Sequence, residues 1–154
     1  WRDYPQRDPR KERVGRFPTH AELRFMSFDA VVRGASGLFF FEFQRRSVPG
    51  QTLLDFPERW QAVTRVAREL RTLKPWLEAG PGTPHLHGAL EGRRWRARRK
   101  DLVILVNRGS APAAVPSDYL GGTWAAVFEP AVDPRRVLTD GFLPPKRVLV
   151  LARR

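Results

Sequence analysis

Five consecutive apolar residues, Leu102-Val103-Ile104-Leu105-Val106, constrain this chain more than any other stretch. Side chains on a strand alternate between two faces, so a run with no polar position must be covered on both sides. The chain therefore needs a layered fold with a central strand here and packed material in front of it and behind it. Its 154 residues are enough for one ordinary domain or two small ones, and so for both layers.

Further strands are predicted at Arg94–Arg98, Thr123–Phe128 and Arg147–Leu151, with Arg99-Lys100-Asp101 as the tight turn before the central strand. Arg94, Arg96 and Arg98 alternate with Trp95 and Ala97, the pattern of a strand with one wet face and one buried face. Strands at this spacing, punctuated by Gly121-Gly122 and Pro144-Pro145, predict a small antiparallel β-sandwich over residues 81–154. The breaker cluster Gly80-Pro81-Gly82-Thr83-Pro84 sets the boundary.

Residues 1–80 follow another grammar. Residues 1–17 are polar and rich in Pro and Arg, without periodicity, and read as irregular. Thr19 is an N-cap whose partner three residues on, Glu22, completes a capping box. Leu23, Met26, Ala30 and Val31 recur at helical spacing, and Gly34 is placed to end that helix in a left-handed cap. Gly37-Leu38-Phe39-Phe40-Phe41-Glu42-Phe43 reads as a strand buried on both faces in a parallel sheet. Pro57 opens a second helix running to about Leu77, with Trp60, Val63, Ala67, Leu70 and Leu73 as its inner stripe. Helix, strand, loop and helix make a β/α unit, so the expected fold class is α/β plus all-β. A lone parallel strand leaves two unpaired edges, so this half is expected to be marginal by itself and to form homo-oligomers.

Charge decides which partners are worth considering. Lys and Arg number 28 against 16 Asp and Glu, giving a net charge of +12. Such a balance attracts polyanions. Lysine appears only at Lys11, Lys74, Lys100 and Lys146, however, and this arginine skew fits a high-GC or heat-adapted composition equally well. No zinc-finger, RRM or KH signature accompanies the charge, so nucleic acid is not the expected partner. No apolar run approaches the length of a membrane span. The absence of cysteine excludes disulfides, thiol nucleophiles and Cys-ligated metals but leaves the compartment open. His85 and His87 share a face if they lie on a strand, yet only His20 remains as another histidine, and no metal site is expected. No cofactor is called for either: no phosphate-cradling glycine loop and no G-x-S-x-G elbow is present. The chain begins at Trp1 and its single methionine is Met26, so it is expected to be part of a longer protein.

The stretch Pro18-Thr19-His20-Ala21-Glu22-Leu23-Arg24, followed by Gly34-Ala35-Ser36-Gly37 and the aromatic run after it, resembles the end of a glycoside hydrolase barrel. It is similar to the seventh helix and eighth strand of the (β/α)8 barrels in the retaining clan that includes the family 42 β-galactosidases. Phe41-Glu42-Phe43-Gln44-Arg45-Arg46 is similar to the strand end of that family, and the Trp60 helix to the eighth barrel helix. The resemblance implies that residues 1–80 are the incomplete end of a barrel and residues 81–154 a small appended sandwich. Such barrels need roughly 250 residues, so most of the barrel would lie upstream. Retaining hydrolysis uses two carboxyl groups about 5 Å apart, placed in that clan on strands four and seven, again upstream. The catalytic residues are accordingly unknown, and the chain alone is expected to be inactive.

Three residues are candidate carbohydrate contacts. Glu42 and Gln44 share a strand face by period two and stand where barrel enzymes gather working groups. Glu42 would otherwise serve a structural salt bridge to Arg45 or Arg46. Trp1, with Tyr4, fits the loop after strand seven as a sugar platform or as an aromatic packed on the rim. A rival reading takes the Arg93–Lys100 segment of the sandwich as a binding module for a polyanion, either nucleic acid or acidic polysaccharide.

Overall fold

A computed structural model describes residues 17–40, 56–120, 124–128 and 141–153. Helix α1 spans His20–Val32. Its start is a closed capping box: Glu22 N–H donates to Thr19 Oγ1 at 3.3 Å, and Thr19 N–H donates to Glu22 Oε2 at 2.8 Å. Its end is a Schellman turn, with Gly34 N–H on the Val31 carbonyl and Ala35 N–H on the Ala30 carbonyl, both at 3.0 Å. Gly34 supplies the left-handed φ of 97° that this turn requires. Helix α2 spans Pro57–Leu77, with proline in its first turn, where no amide donor is lost.

Five strands, β1 Thr83–His87, β2 Leu90–Ala97, β3 Lys100–Asn107, β5 Trp124–Ala126 and β7 Val148–Arg153, form one antiparallel sheet. Their order across it is β1-β2-β3-β7-β5. The central strand β3 pairs with β2 and β7, and Leu102 through Val106 have no solvent exposure. Burying each such side chain contributes about 1.5–3 kcal/mol. Both faces are covered, as the unbroken apolar run requires, but by different material. One face meets the helices: Trp95, Leu102, Ile104, Val106, Val148 and Val150 pack with Phe28, Val31, Val32 and Leu73. The opposite face meets a two-stranded ribbon of β4 (Ala113–Ala114) and β6 (Phe142–Leu143), together with the short helix α3 (Ser117–Leu120). Leu90, Val103, Leu105, Leu149 and Leu151 form a second core there with Ala113, Val115, Tyr119 and Leu143. The described chain is thus mixed helix and antiparallel sheet.

Four local expectations are corrected. The hairpin turn lies at Arg98-Arg99, and Lys100 and Asp101 already belong to β3, because Ala97 pairs with Lys100 and Arg96 with Asp101. Arg98 is therefore a turn residue. The first strand of the sheet, β1, arises inside the segment expected only to break structure. Within Gly37–Phe43, residues 37–40 make no strand, and the Phe39 side chain is 99% exposed. Among the described residues no strand lies beside it to complete a ladder, and apolar continuity alone does not bury a segment. Residues 41–43 lie outside the described residues. On the helices, Phe28, Val32, Ala62 and Val66 carry the buried stripe together with Leu23, Val31, Val63 and Leu73, whereas Met26 and Trp60 are each 40% exposed.

Candidate functional site

Strand alternation sorts the basic run on β2 into two jobs. Arg93 points to the helix side and is spent on backbone. Its Nε donates to the Val32 carbonyl at 2.7 Å and its Nη1 to the Pro81 carbonyl at 2.6 Å, so it caps the end of α1. Arg94 and Arg96 point to the other face, opposite Val103 and Asp101 of β3. There they converge on Asp101, whose side chain is only 2% exposed. Arg94 Nη2 donates to Asp101 Oδ2 at 2.6 Å, Arg96 Nε to Oδ1 at 2.7 Å, and Arg96 Nη2 to Oδ2 at 3.1 Å. The Arg96 hydrogen bonds, followed by those of Arg94, outweigh desolvation and hold the Asp101 carboxyl down at about 2. The same contact raises the Arg96 guanidinium further above its ordinary value.

Arg153, at the end of β7, brings Nη1 to 4.0 Å from Asp101 Oδ2. Its register partner on β5 is Trp124, and the Arg94 guanidinium lies over the Trp124 ring at 5.8 Å from its centroid. The aromatic row continues away from the cations. Tyr119 meets Trp124 edge-on at 5.3 Å and His85 at 5.5 Å, and the Tyr119 hydroxyl lies 3.3 Å from His85 Nε2. Burial pushes the Tyr119 phenol above its ordinary value. The hairpin end of this face therefore joins three guanidiniums on one shielded carboxylate to a half-buried indole.

Three further acids, Glu69, Glu91 and Asp29, are committed to arginines. Glu69 accepts from Arg24 Nε at 2.6 Å, and Arg24 also reaches the Val148 carbonyl, tying α1, α2 and β7 together. Glu91 accepts from Arg33 Nη2 at 3.0 Å and from Arg108 Nη1 at 2.9 Å, and Arg108 Nε lies 3.2 Å from Asp29. Among the described residues, no group of three His, Cys, Asp or Glu side chains is placed to hold a metal ion. His85 and His87 do share a face, with stacked rings at 6.5 Å, and His20 lies apart from them beside Glu69. No helix of the described residues is long and apolar enough to cross a membrane.

Glu42, Gln44 and Trp1, the candidate carbohydrate contacts, lie outside the described residues, as do Tyr4, Arg45 and Arg46. Asp101, Trp124, Tyr119 and Arg153 were not singled out by sequence reasoning. The available signal was period two: Asp101 stands one step before an apolar run and in phase with Val103 and Leu105, which points a carboxylate inward among arginines. No protein-family model, curated protein or solved structure matches the chain.

Proposed function

We propose that this chain is the C-terminal part of a glycoside hydrolase, contributing the last helices of a (β/α)8 barrel and an appended β-domain. The observation that carries this reading is the α1 unit. The Pro18-Thr19-His20-Ala21-Glu22 segment forms a closed capping box, and Gly34-Ala35-Ser36-Gly37 begins with a left-handed glycine, the first two features on which the resemblance rests; the strand that it expects next does not form over residues 37–40. In this reading the catalytic carboxylate pair is supplied by upstream strands. Glu42, Gln44 and Trp1 contribute sugar contacts at the barrel mouth, and the β-domain packs on the last two helices. The engagement of Glu69, Glu91, Asp29 and Asp101 by arginines is consistent with that division of labour, because a retaining glycosidase needs two carboxyl groups facing one another across substrate.

The test compares the 154-residue chain with a form extended at its N terminus by the natural upstream coding sequence. Turnover of aryl glycosides is expected from the extended form alone. Turnover by the short chain that disappears in Glu42→Gln would overturn the proposal, as would an upstream reading frame that encodes no further β/α units.

A further inference from the structure

We propose that the hairpin end of the sheet, formed by Arg94, Arg96, Arg98, Arg99 and Arg153 beside Trp124, binds a carboxylate-bearing polysaccharide. The choice of a sugar polymer rests on the glycosidase reading above, and the preference for an anionic one rests on the site itself.

Charge is the first argument. Among the described residues Asp101 is the one carboxylate set among these arginines, and it is shielded inside the cluster, while the Arg96 and Arg153 side chains are 71% and 49% exposed. Among the described residues no ion pair engages Arg98, Arg99 or Lys100. Among the described residues, the face therefore presents excess positive charge at the rim with its one compensating group underneath.

Backbone conformation is the second argument and is independent of the first. Arg98 and Arg99 occupy the two central positions of the β2–β3 hairpin with φ of 47° and 66°. Left-handed backbone at both positions favours Asn-Gly, because a Cβ is strained there. Two arginines at this turn forgo the stable solution in favour of two guanidiniums at the tip. Strain held at an exposed tip in this way points to a site rather than to the fold.

Preorganisation is the third. Asp101 occupies Nη2 of Arg94 and both Nε and Nη2 of Arg96, which fixes two long side chains that both remain partly open to solvent. An incoming carboxylate then meets forks already held in place, so less rotamer entropy is lost on binding. Trp124, half-buried alongside, offers an apolar plate for the C–H face of a sugar ring. The patch is short, because the rest of this face lies under Ala113, Val115, Tyr119 and Leu143. A nucleic-acid track requires an extended basic groove with successive stacking aromatics, so a few acidic sugar units fit this site better.

The experiment titrates the full 154-residue chain with polygalacturonate, with a neutral galactan, and with a thymidine oligonucleotide of matched charge, at low and high salt. Polygalacturonate is expected to bind, to weaken with salt and to exceed both other polymers. Arg96→Ala combined with Arg153→Ala should weaken it by about tenfold or more. Replacing Arg98-Arg99 by Asn-Gly should weaken binding while raising the unfolding midpoint; a turn with only a structural role would give the second effect without the first. Absence of polygalacturonate binding at low salt, oligonucleotide binding of equal or greater strength, or wild-type affinity in both arginine variants would overturn the proposal. Its failure is separable from that of the glycosidase reading, since uronate binding is read on this chain and hydrolysis on the extended one.

Discussion

The two faces of the central sheet are made by the same strands and solve opposite problems. On the helix side β2 contributes Trp95, and its one arginine with a resolved partner there, Arg93, is consumed capping α1. On the ribbon side the same strand contributes Leu90 at one end and Arg94 and Arg96 at the other, so one surface passes from dry core to charged rim within six residues. The helix face is apolar at Trp95, Leu102, Ile104, Val106, Val148 and Val150, and its polar β2 side chains, Glu91 and Arg93, are paired with groups at the C-terminal end of α1. The ribbon face carries polar groups inward and must satisfy each of them, through Asn107 at one end and Asp101 at the other. Stability should therefore be steep in side-chain volume on the first face and steep in hydrogen-bond complementarity on the second.

The largest effect expected from this contrast comes from Trp95, which is 4% exposed and in contact with Gly82 at the point where the chain enters β1. Trp95→Ala removes the aromatic joining β2 to both helices and should cost about 3–5 kcal/mol of unfolding free energy. The adjacent Arg94→Ala, on the other face, should cost well under half as much. Urea denaturation of the two variants makes the comparison, and equal losses would show that the faces are not energetically distinct.

Asn107 comes next and examines the ribbon side. Its side chain is fully buried and has three partners: Nδ2 donates to the carbonyls of Ala111 and Leu143 at 2.8 and 2.7 Å, while Oδ1 accepts from Gly109 N–H at 2.9 Å. One side chain thus joins the end of β3 to the following loop and to β6. Asn107→Leu keeps the branched shape and the number of side-chain heavy atoms but abandons all three groups, so it should destabilise by roughly 2–3 kcal/mol. Hydrogen exchange of the β4–β6 ribbon should rise more than that of α1 and α2. Uniform loosening of both layers would contradict a local role.

The contrast also explains what was legible in the sequence. Leu102–Val106 announces a strand covered on both sides because burial follows from composition alone, and Thr19 with Glu22 announces a helix start because the capping box is local. Pro57 and Gly34 mark ends for equally local reasons. What covers each face was not legible. Whether α1 and α2 or a second sheet packs on Trp95 is decided by tertiary contacts with no local signature. The hairpin position was missed by one step because Arg98-Arg99 violates the residue preference of its own turn, and a one-residue shift exchanges the faces of everything nearby. The candidate site was half visible: the β2 arginines were noticed, but Asp101, Trp124 and Arg153 meet them only after β3, β5 and β7 are brought into register. Gly37–Phe40 failed for the complementary reason, since a buried strand requires partners that a local reading cannot supply.

The smallest of these effects is the one that bears most directly on the charged rim. Asp101 has its folded-state carboxyl held at about 2 against an ordinary 3.8, chiefly by the Arg96 hydrogen bonds. A depressed carboxyl means that the unfolded chain binds the proton more readily. The resulting stability is fully present above pH 4 and is lost as pH falls through the folded value. Because Arg94 and Arg96 are 40% and 71% exposed, the contribution is discounted for solvent screening to about 1 kcal/mol. Wild-type stability should therefore decline between about pH 4 and 2 by that amount more than in Asp101→Asn, which has no proton to take up at this position. Salt should narrow the difference without abolishing it, because the carboxylate itself is shielded from solvent while its partners are not. Identical acid profiles for the two chains would mean that the arginines are held in place by something other than Asp101. The face would then have lost the anchor that organises it for a ligand.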